Sequence, residues 1–144
     1  MIIALGSDHA GLPLKQEIME LLDQKGIEYK DFGTYTKDSC DYAQFGQRAA
    51  NAVVSGECDK GILCCGTGIG ISLAANKVKG IRCALCADSL SAKMTRLHND
   101  ANVLAMGAGI VGENLAIEIV DTFLNTPFSG EERHQRRVDM IEQL

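Results

Sequence analysis

Five times along this chain a short apolar run gives way to a longer stretch with apolar residues at helical spacing, and each changeover carries glycine or aspartate. The runs fall near residues 2–7, 28–32, 60–64, 81–86 and 102–106, and the helical stretches near 11–25, 42–55, 70–77, 89–98 and 112–124. Gly61-Ile62-Leu63-Cys64 and Val103-Leu104-Ala105-Met106 do not alternate apolar with polar. That is the pattern of strands covered on both faces, and hence of a parallel sheet. Five βα units in series predict an α/β fold: a doubly wound, Rossmann-like three-layer sandwich around a five-stranded parallel sheet, with the common strand order 2-1-3-4-5. The first helix is marked by Leu14, Ile18, Leu21 and Leu22, by Pro13 in its first turn, and by Lys25-Gly26 at its end. A last helical stretch, Glu131 to Leu144, has Val138, Ile141 and Leu144 on one narrow side, suited to packing on its own domain or across a dimer.

A chain of 144 residues is long enough for one domain, residues 1–144, and leaves no room for a second. Although 46% of it is hydrophobic, no apolar run approaches the ~18 residues of a membrane span. The start, Met1-Ile2-Ile3-Ala4-Leu5-Gly6, has no basic region or cleavage site, so it reads as a first strand of a cytoplasmic protein. Fourteen basic against nineteen acidic residues give a net charge of −5, with a dense basic patch only at Arg133 to Arg137, which argues against nucleic acid as a partner. Six cysteines raise the question of disulfides or zinc. Cys64 and Cys65 are adjacent and Cys83 and Cys86 are three apart on strand-like runs, so each pair points to opposite faces. Neither pair is placed to chelate a metal, and reduced, buried thiols are the expected state for all but Cys65.

Ligands of open α/β sheets sit outside the carboxyl ends of the strands, where the winding direction reverses. Three segments fall there. Ser7-Asp8-His9-Ala10-Gly11 closes the first strand, Asp31-Phe32-Gly33-Thr34-Tyr35 the second, and Cys65-Gly66-Thr67-Gly68-Ile69-Gly70 the third. With the first and third strands adjacent, Asp8, His9 and Cys65 share one crevice. The glycines let backbone N–H groups face a ligand, and the helix that follows adds the positive end of its dipole, so this is an anion site beside a thiol. Asp8 also fits as a helix cap, and His9 as a turn residue, a phosphate donor or an acid. A dinucleotide loop fits poorly, because the third glycine comes one residue early for G-x-G-x-x-G, and there is no P-loop lysine. Where a redox thiol would want a resolving cysteine the chain has Thr67.

His98 and Asn99 lie between the fourth helix and the fifth strand, at the amino edge of the sheet. A strand of five or six residues, ~17–20 Å, separates them from Cys65. To act on a ligand at Cys65 they must come from a second subunit, so their position predicts a homodimer with a shared site; the plainer role is a helix end closed by His and Asn. Arg133 and Arg137, four apart on the last helix, present two guanidinium groups to one side, a spacing that suits a phosphate.

Taken in order, Ser7-Asp8-His9-Ala10-Gly11, Asp41-Tyr42, Cys65 to Ile71, Ala75-Asn76-Lys77, His98-Asn99-Asp100-Ala101-Asn102-Val103 and Arg133-His134-Gln135 resemble type B ribose-5-phosphate isomerase, from residue 1 to about residue 140. The resemblance implies reversible conversion of ribose 5-phosphate to ribulose 5-phosphate in the pentose phosphate pathway, with no metal or organic cofactor, in dimers or dimers of dimers. By position, Cys65 resembles the base that moves a proton between C2 and C1, and Thr67 and His98, with Asp8 nearby, the groups that open the furanose ring. The N–H groups of Gly66, Gly68, Ile69 and Gly70, with Asn99, would hold the enediolate; His9, Arg133 and Arg137 the phosphate; and Tyr42 the sugar. Ile71 stands where another branch carries a glutamate base, which places this chain with the cysteine branch. Two positions depart from the pattern: Gly109 replaces an arginine, and Ala43 replaces a proline. Galactose-6-phosphate isomerase subunits resemble the glycine loop but lack the His-Asn-Asp segment. A flavodoxin-like mononucleotide or redox module and a noncatalytic sugar-phosphate sensor are the competing readings.

Overall fold

The computed structural model describes residues 1–144. Along it run β1 (Ile2–Ser7), α1 (Leu12–Lys25), β2 (Glu28–Asp31), α2 (Tyr42–Val54), β3 (Lys60–Cys65), α3 (Ile69–Asn76), β4 (Cys83–Leu85), α4 (Ser89–Asn99), β5 (Val103–Gly107), α5 (Glu113–Asn125) and α6 (Glu132–Glu142). Every strand pairing is parallel, as the non-alternating apolar runs predict.

The strand order is β2-β1-β3-β5-β4, not 2-1-3-4-5. Burial explains the difference. All five residues of β5 are buried, whereas β4 has only three residues and none is buried. The uniformly apolar β5 therefore takes the place beside β3, and β4 becomes the edge strand, with Ile81 and Cys86 outside it. The neighbours β1 and β3, on which the crevice depends, are adjacent as expected.

Side chains alternate across the sheet into two core layers. Ile3, Leu5, Ile62, Cys64, Leu104 and Met106 pack with Leu14, Ile18 and Leu22 of α1 and Ile119, Val120 and Phe123 of α5. Ala4, Leu63, Cys65, Val103 and Ala105 face Ala49, Ala50 and Val53 of α2 and Ile71 and Ala75 of α3. Burying each large side chain contributes about 1.5–3 kcal/mol. Cys64 and Cys65 lie in opposite layers, as do Cys83 and Cys86, and all six cysteines are free thiols.

The helix ends follow from local chemistry. α1 stops at Gly26 (φ 67°), whose N–H donates to the Asp23 carbonyl while the Ile27 N–H reaches back to Leu22, with Lys25 complementing the dipole. Asp88 starts α4 by accepting from the Ser91 N–H (2.6 Å) and hydroxyl (2.9 Å). On α6 the buried side is His134 and Val138; Ile141 is exposed, and Leu144 lies past the helix end in solvent, so the expected apolar side is shorter than its spacing suggested.

Candidate active site

The carboxyl ends of β1 and β3 are clamped together. A Cβ at Gly11 would sit 2.2 Å from the Cys64 carbonyl oxygen, so only glycine lets the start of α1 press on the end of β3. The Asp8 N–H donates to that same carbonyl (3.3 Å), and the buried Asp8 carboxylate accepts from the Gly11 N–H (2.8 Å). Asp8 thus shapes the turn into α1 while its backbone is tied to Cys64, the residue before Cys65.

Cys65 is buried at the last position of β3, and its Sγ accepts a hydrogen bond from the Gly68 N–H at 3.0 Å. Gly68 precedes α3 with φ 79°, and a Cβ there would meet the Met106 carbonyl carbon at 2.6 Å and the Gly107 nitrogen at 2.9 Å. Glycine is required on both counts. The opposite wall is pinned by Ala108 N–H to the Cys65 carbonyl and Gly109 N–H to the Gly66 carbonyl, both 2.9 Å. Gly109 is therefore a backbone contact of the glycine loop. Thr67 is exposed and its Oγ1 accepts from the Ile69 N–H (3.2 Å), bracing the turn that leads into α3. The Tyr42 ring covers Gly70, where a Cβ would lie 2.6 Å from it, so α2 delivers Tyr42 to the rim of the loop. A cleft of about 210 Å³ between Thr67, Ile69, Leu85, Cys86, Gly107 and Ile110 adjoins the loop.

His9 is half-buried beside this loop, and its Nδ1 accepts from the Cys40 N–H at 3.2 Å. The neighbouring Cys64 lies wholly within the core, and burial pushes its thiol far up, out of the range in which it would ionise. Burial likewise pushes Cys83 up to about 12 and Cys86 to about 11.

A second group gathers at the other edge of the sheet. His98 and Asn99 are exposed at the end of α4, and the His98 ring stacks on His134 of α6, centroids 4.3 Å apart and planes 16° from parallel. Desolvation, then His98, lowers the affinity of His134 for a proton. Arg133 and Arg137 are exposed on the same helix, Arg133 paired with Glu131 at 3.0 Å. Arg82 donates to the Asn99 and Asp100 carbonyls (3.0 and 2.8 Å), and buried Arg96 binds the Asp100 carboxylate (2.8 Å) and the Ala101 carbonyl (2.7 Å), fixing the end of α4. Asn102, part of the same sequence motif, ties Arg82 to Gly80 and has a structural task.

The two groups do not meet within one chain. Val103 pairs with Gly61 at the amino end of the sheet and Gly107 with Cys65 at the carboxyl end, a strand length of about 13 Å. Asp8, His9, Tyr42, Cys65, Thr67 and the glycines share one edge; His98, Asn99, Arg133 and Arg137 share the other. A cavity of about 640 Å³ lies at the amino end and includes only Asn99 among these residues. Lys15 was not singled out by sequence reasoning, and His134, under His98, entered it only within the Arg133-His134-Gln135 motif. No three His, Cys, Asp or Glu side chains converge as a metal-binding group, and no helix is long and apolar enough to cross a membrane.

A buried thiol held by a glycine loop at the start of a helix, at the winding reversal of a parallel sheet, marks the ligand site of an open α/β protein. The family model described as Ribose/Galactose Isomerase matches residues 3–141. A putative sugar phosphate isomerase of Bacillus subtilis is 53% identical over 142 residues, covering 98% of this chain and 95% of that protein. Ribose-5-phosphate isomerase B of Escherichia coli is 49% identical over 139 residues, covering 96% and 93%. The solved structure of ribose-5-phosphate isomerase B from Clostridium thermocellum superimposes with a TM-score of 0.98 at 55% identity, covering 99% of this chain and 96% of that one. The chain belongs to the ribose/galactose isomerase family, among its type B ribose-5-phosphate isomerases.

Proposed function

We propose that this enzyme interconverts ribose 5-phosphate and ribulose 5-phosphate through an enediolate, with Cys65 as the base. The observation that carries the reading is the buried Cys65 Sγ, held at 3.0 Å by the Gly68 N–H at the start of α3. A helix N-terminus and the N–H groups of the loop stabilise the negative charge that develops on an enediolate beside the thiol. The thiolate takes the proton from C2 of the open aldose, the electron pair becomes the C1–C2 double bond, and the O1 carbonyl becomes the enediolate oxygen. The O2 hydroxyl proton then passes to O1, which moves the charge to O2; as the C2 carbonyl forms, the C1–C2 electron pair takes the proton back from the Cys65 thiol at C1, giving the ketose and restoring the base. N–H groups of Gly66, Gly68, Ile69 and Gly70 stabilise the enediolate, at ~2.7–4 kcal/mol for each well-aimed donor.

Thr67 and His98, with Asp8, open the furanose ring, Tyr42 contacts the sugar, and His9, Arg133 and Arg137 take the phosphate. Because His98, Asn99, Arg133 and Arg137 stand at the opposite edge from Cys65, they serve the Cys65 of a second copy, in a homodimer or a dimer of dimers. A cytoplasmic place in pentose phosphate metabolism, with no cofactor, follows from this reading. Purified, metal-stripped protein is expected to turn over ribose 5-phosphate in preference to allose 6-phosphate and galactose 6-phosphate. A folded Cys65→Ala variant is expected to lose at least ~10²-fold in kcat. Near-normal turnover by that variant would remove Cys65 from the role of base, and turnover of a hexose alone would change the substrate.

A further inference from the structure

Lys15 is the most deeply buried charged residue of the chain, 1% exposed on α1. Its Nζ donates to Asp31 Oδ1 at 2.7 Å and to the Thr34 carbonyl at 2.5 Å, and lies 5.4 Å from the centre of the Tyr35 ring. The same Asp31 oxygen accepts from the Gly33 N–H (2.9 Å), and the Tyr35 hydroxyl donates to the Asp31 carbonyl (2.8 Å). From the side, the end of β1 laces the segment down: Ser7 N–H donates to the Gly33 carbonyl and Thr34 N–H to the Ser7 carbonyl, both 2.7 Å. Residues 31–35 are thus fastened from beneath and beside, immediately before Asp8 and His9.

The chain then travels outward and returns at Cys40, whose backbone N–H donates to His9 Nδ1 at 3.2 Å, with the Cys40 Sγ 3.8 Å from the same nitrogen. A backbone amide can only donate, so Nδ1 is the acceptor and the ring carries its proton on Nε2. A positively charged imidazole would have an N–H on both nitrogens and would confront the Cys40 amide donor to donor. The dyad of Lys15 and Asp31 therefore lies behind a hydrogen bond that selects one form of a side chain facing the crevice.

We infer that Lys15 is a positioning residue: by fastening residues 31–35 it holds the Cys40 amide on His9, fixing a neutral His9 that presents a single Nε2–H donor to the anionic end of the substrate. The direction of that donor rests on the reading of His9 as a phosphate contact; the tautomer and its dependence on Lys15 do not. A lysine serving stability alone could be exchanged, together with its partner, without any effect on His9.

The test is nitrogen-detected NMR of the full chain labelled at histidine. With three histidines in the sequence, His9 is assigned by comparison with His9→Gln. In the ligand-free wild type, Nδ1 is expected without a proton and Nε2 with one. In Lys15→Met, and in Lys15→Met/Asp31→Asn, which removes both charges, His9 is expected to show exchange between tautomers. The KM for ribose 5-phosphate should rise about tenfold, equivalent to about 1.4 kcal/mol, with a much smaller change in kcat. A wild-type His9 protonated on Nδ1 overturns the inference, as does a folded double variant whose His9 matches the wild type. Failure of both variants to fold overturns the positioning role, since the pair would then be a requirement of the fold. If the tautomer behaves as expected but ribose 5-phosphate is not turned over, the substrate reading fails and the role of Lys15 stands.

Discussion

Gly68→Ala would test the glycine loop as a cradle for the Cys65 thiol. At φ 79° a residue with a Cβ costs about 1–2 kcal/mol. The added methyl would also lie 2.6 Å from the Met106 carbonyl carbon and 2.9 Å from the Gly107 nitrogen, backbone atoms of β5, which is paired on both sides and cannot swing aside. Overpacking of that kind costs a further ~1–3 kcal/mol, so the loss is about 2–5 kcal/mol. At about 2.1 cal/mol/K of unfolding entropy per residue, 144 residues translate each kcal/mol into about 3 °C, so Tm is expected to fall by about 7–16 °C. Gly66→Ala is the control for stability: its Cβ would find only the Ala10 methyl, at 3.7 Å, and the Tm is expected to move by no more than about 2 °C. Relief of the clash has to move the Gly68 N–H off the Cys65 Sγ, and a displacement near 1 Å is expected to cost ~10²-fold in turnover. Thermal scans with isomerase assays on the surviving folded protein check both effects. Equal Tm values for the two variants would refute the packing argument, and unchanged turnover in Gly68→Ala would refute the link to the thiol.

Three further outcomes follow from particular contacts. Asp88→Ala removes both bonds to Ser91 at the start of α4 and is expected to lower the midpoint of urea unfolding at neutral pH. Those bonds hold the Asp88 carboxyl below its usual range, so this contribution is present above pH 3.8 and fades as pH falls through the lower folded value. Arg96→Met strips partners from the buried Ala101 carbonyl and from the Thr126 carbonyl, and is expected to cost about 3 kcal/mol in the same assay. His134 faces His98, Glu131, Arg133 and Arg137, and its proton affinity is lowered below the usual 6.5 mainly by desolvation and His98. The unfolded chain then binds the proton more readily, so stability should fall as pH drops below 6.5, and His134→Phe, which keeps a stacked ring, should flatten that part of the pH profile.

What was legible in the sequence follows from how local each determinant is. The strands and helices were marked by periodicity, glycine and proline, and the segments closing β1 and β3 could be placed on one edge of the sheet without coordinates. The order of the last two strands was not legible, because it depends on competition between two runs for one central position. Ile81 to Cys86 is interrupted by Arg82, whereas Val103 to Met106 is apolar throughout, and only the second is buried at every position. Lys15 left a signal that was not used: at i, i+3 and i+7 with Ile18 and Leu22, a lysine stands on the buried stripe of α1 and so demands a buried partner. Its partner Asp31, sixteen residues away, could not be read from local pattern. His134 was hidden between two arginines that drew attention as phosphate ligands, and its contact with His98 depends on how α6 packs on α4.

The most direct test of the central claim, a thiol base completed by the opposite edge of a second chain, is subunit complementation. Cys65→Ala and His98→Ala homodimers are each expected to be nearly inactive toward ribose 5-phosphate. Mixed and allowed to exchange, they should regain up to about a quarter of wild-type activity, because half the subunits form mixed dimers and each holds one intact site of two. No recovery after exchange has been verified would contradict the shared site and return Cys65 and His98 to a single chain.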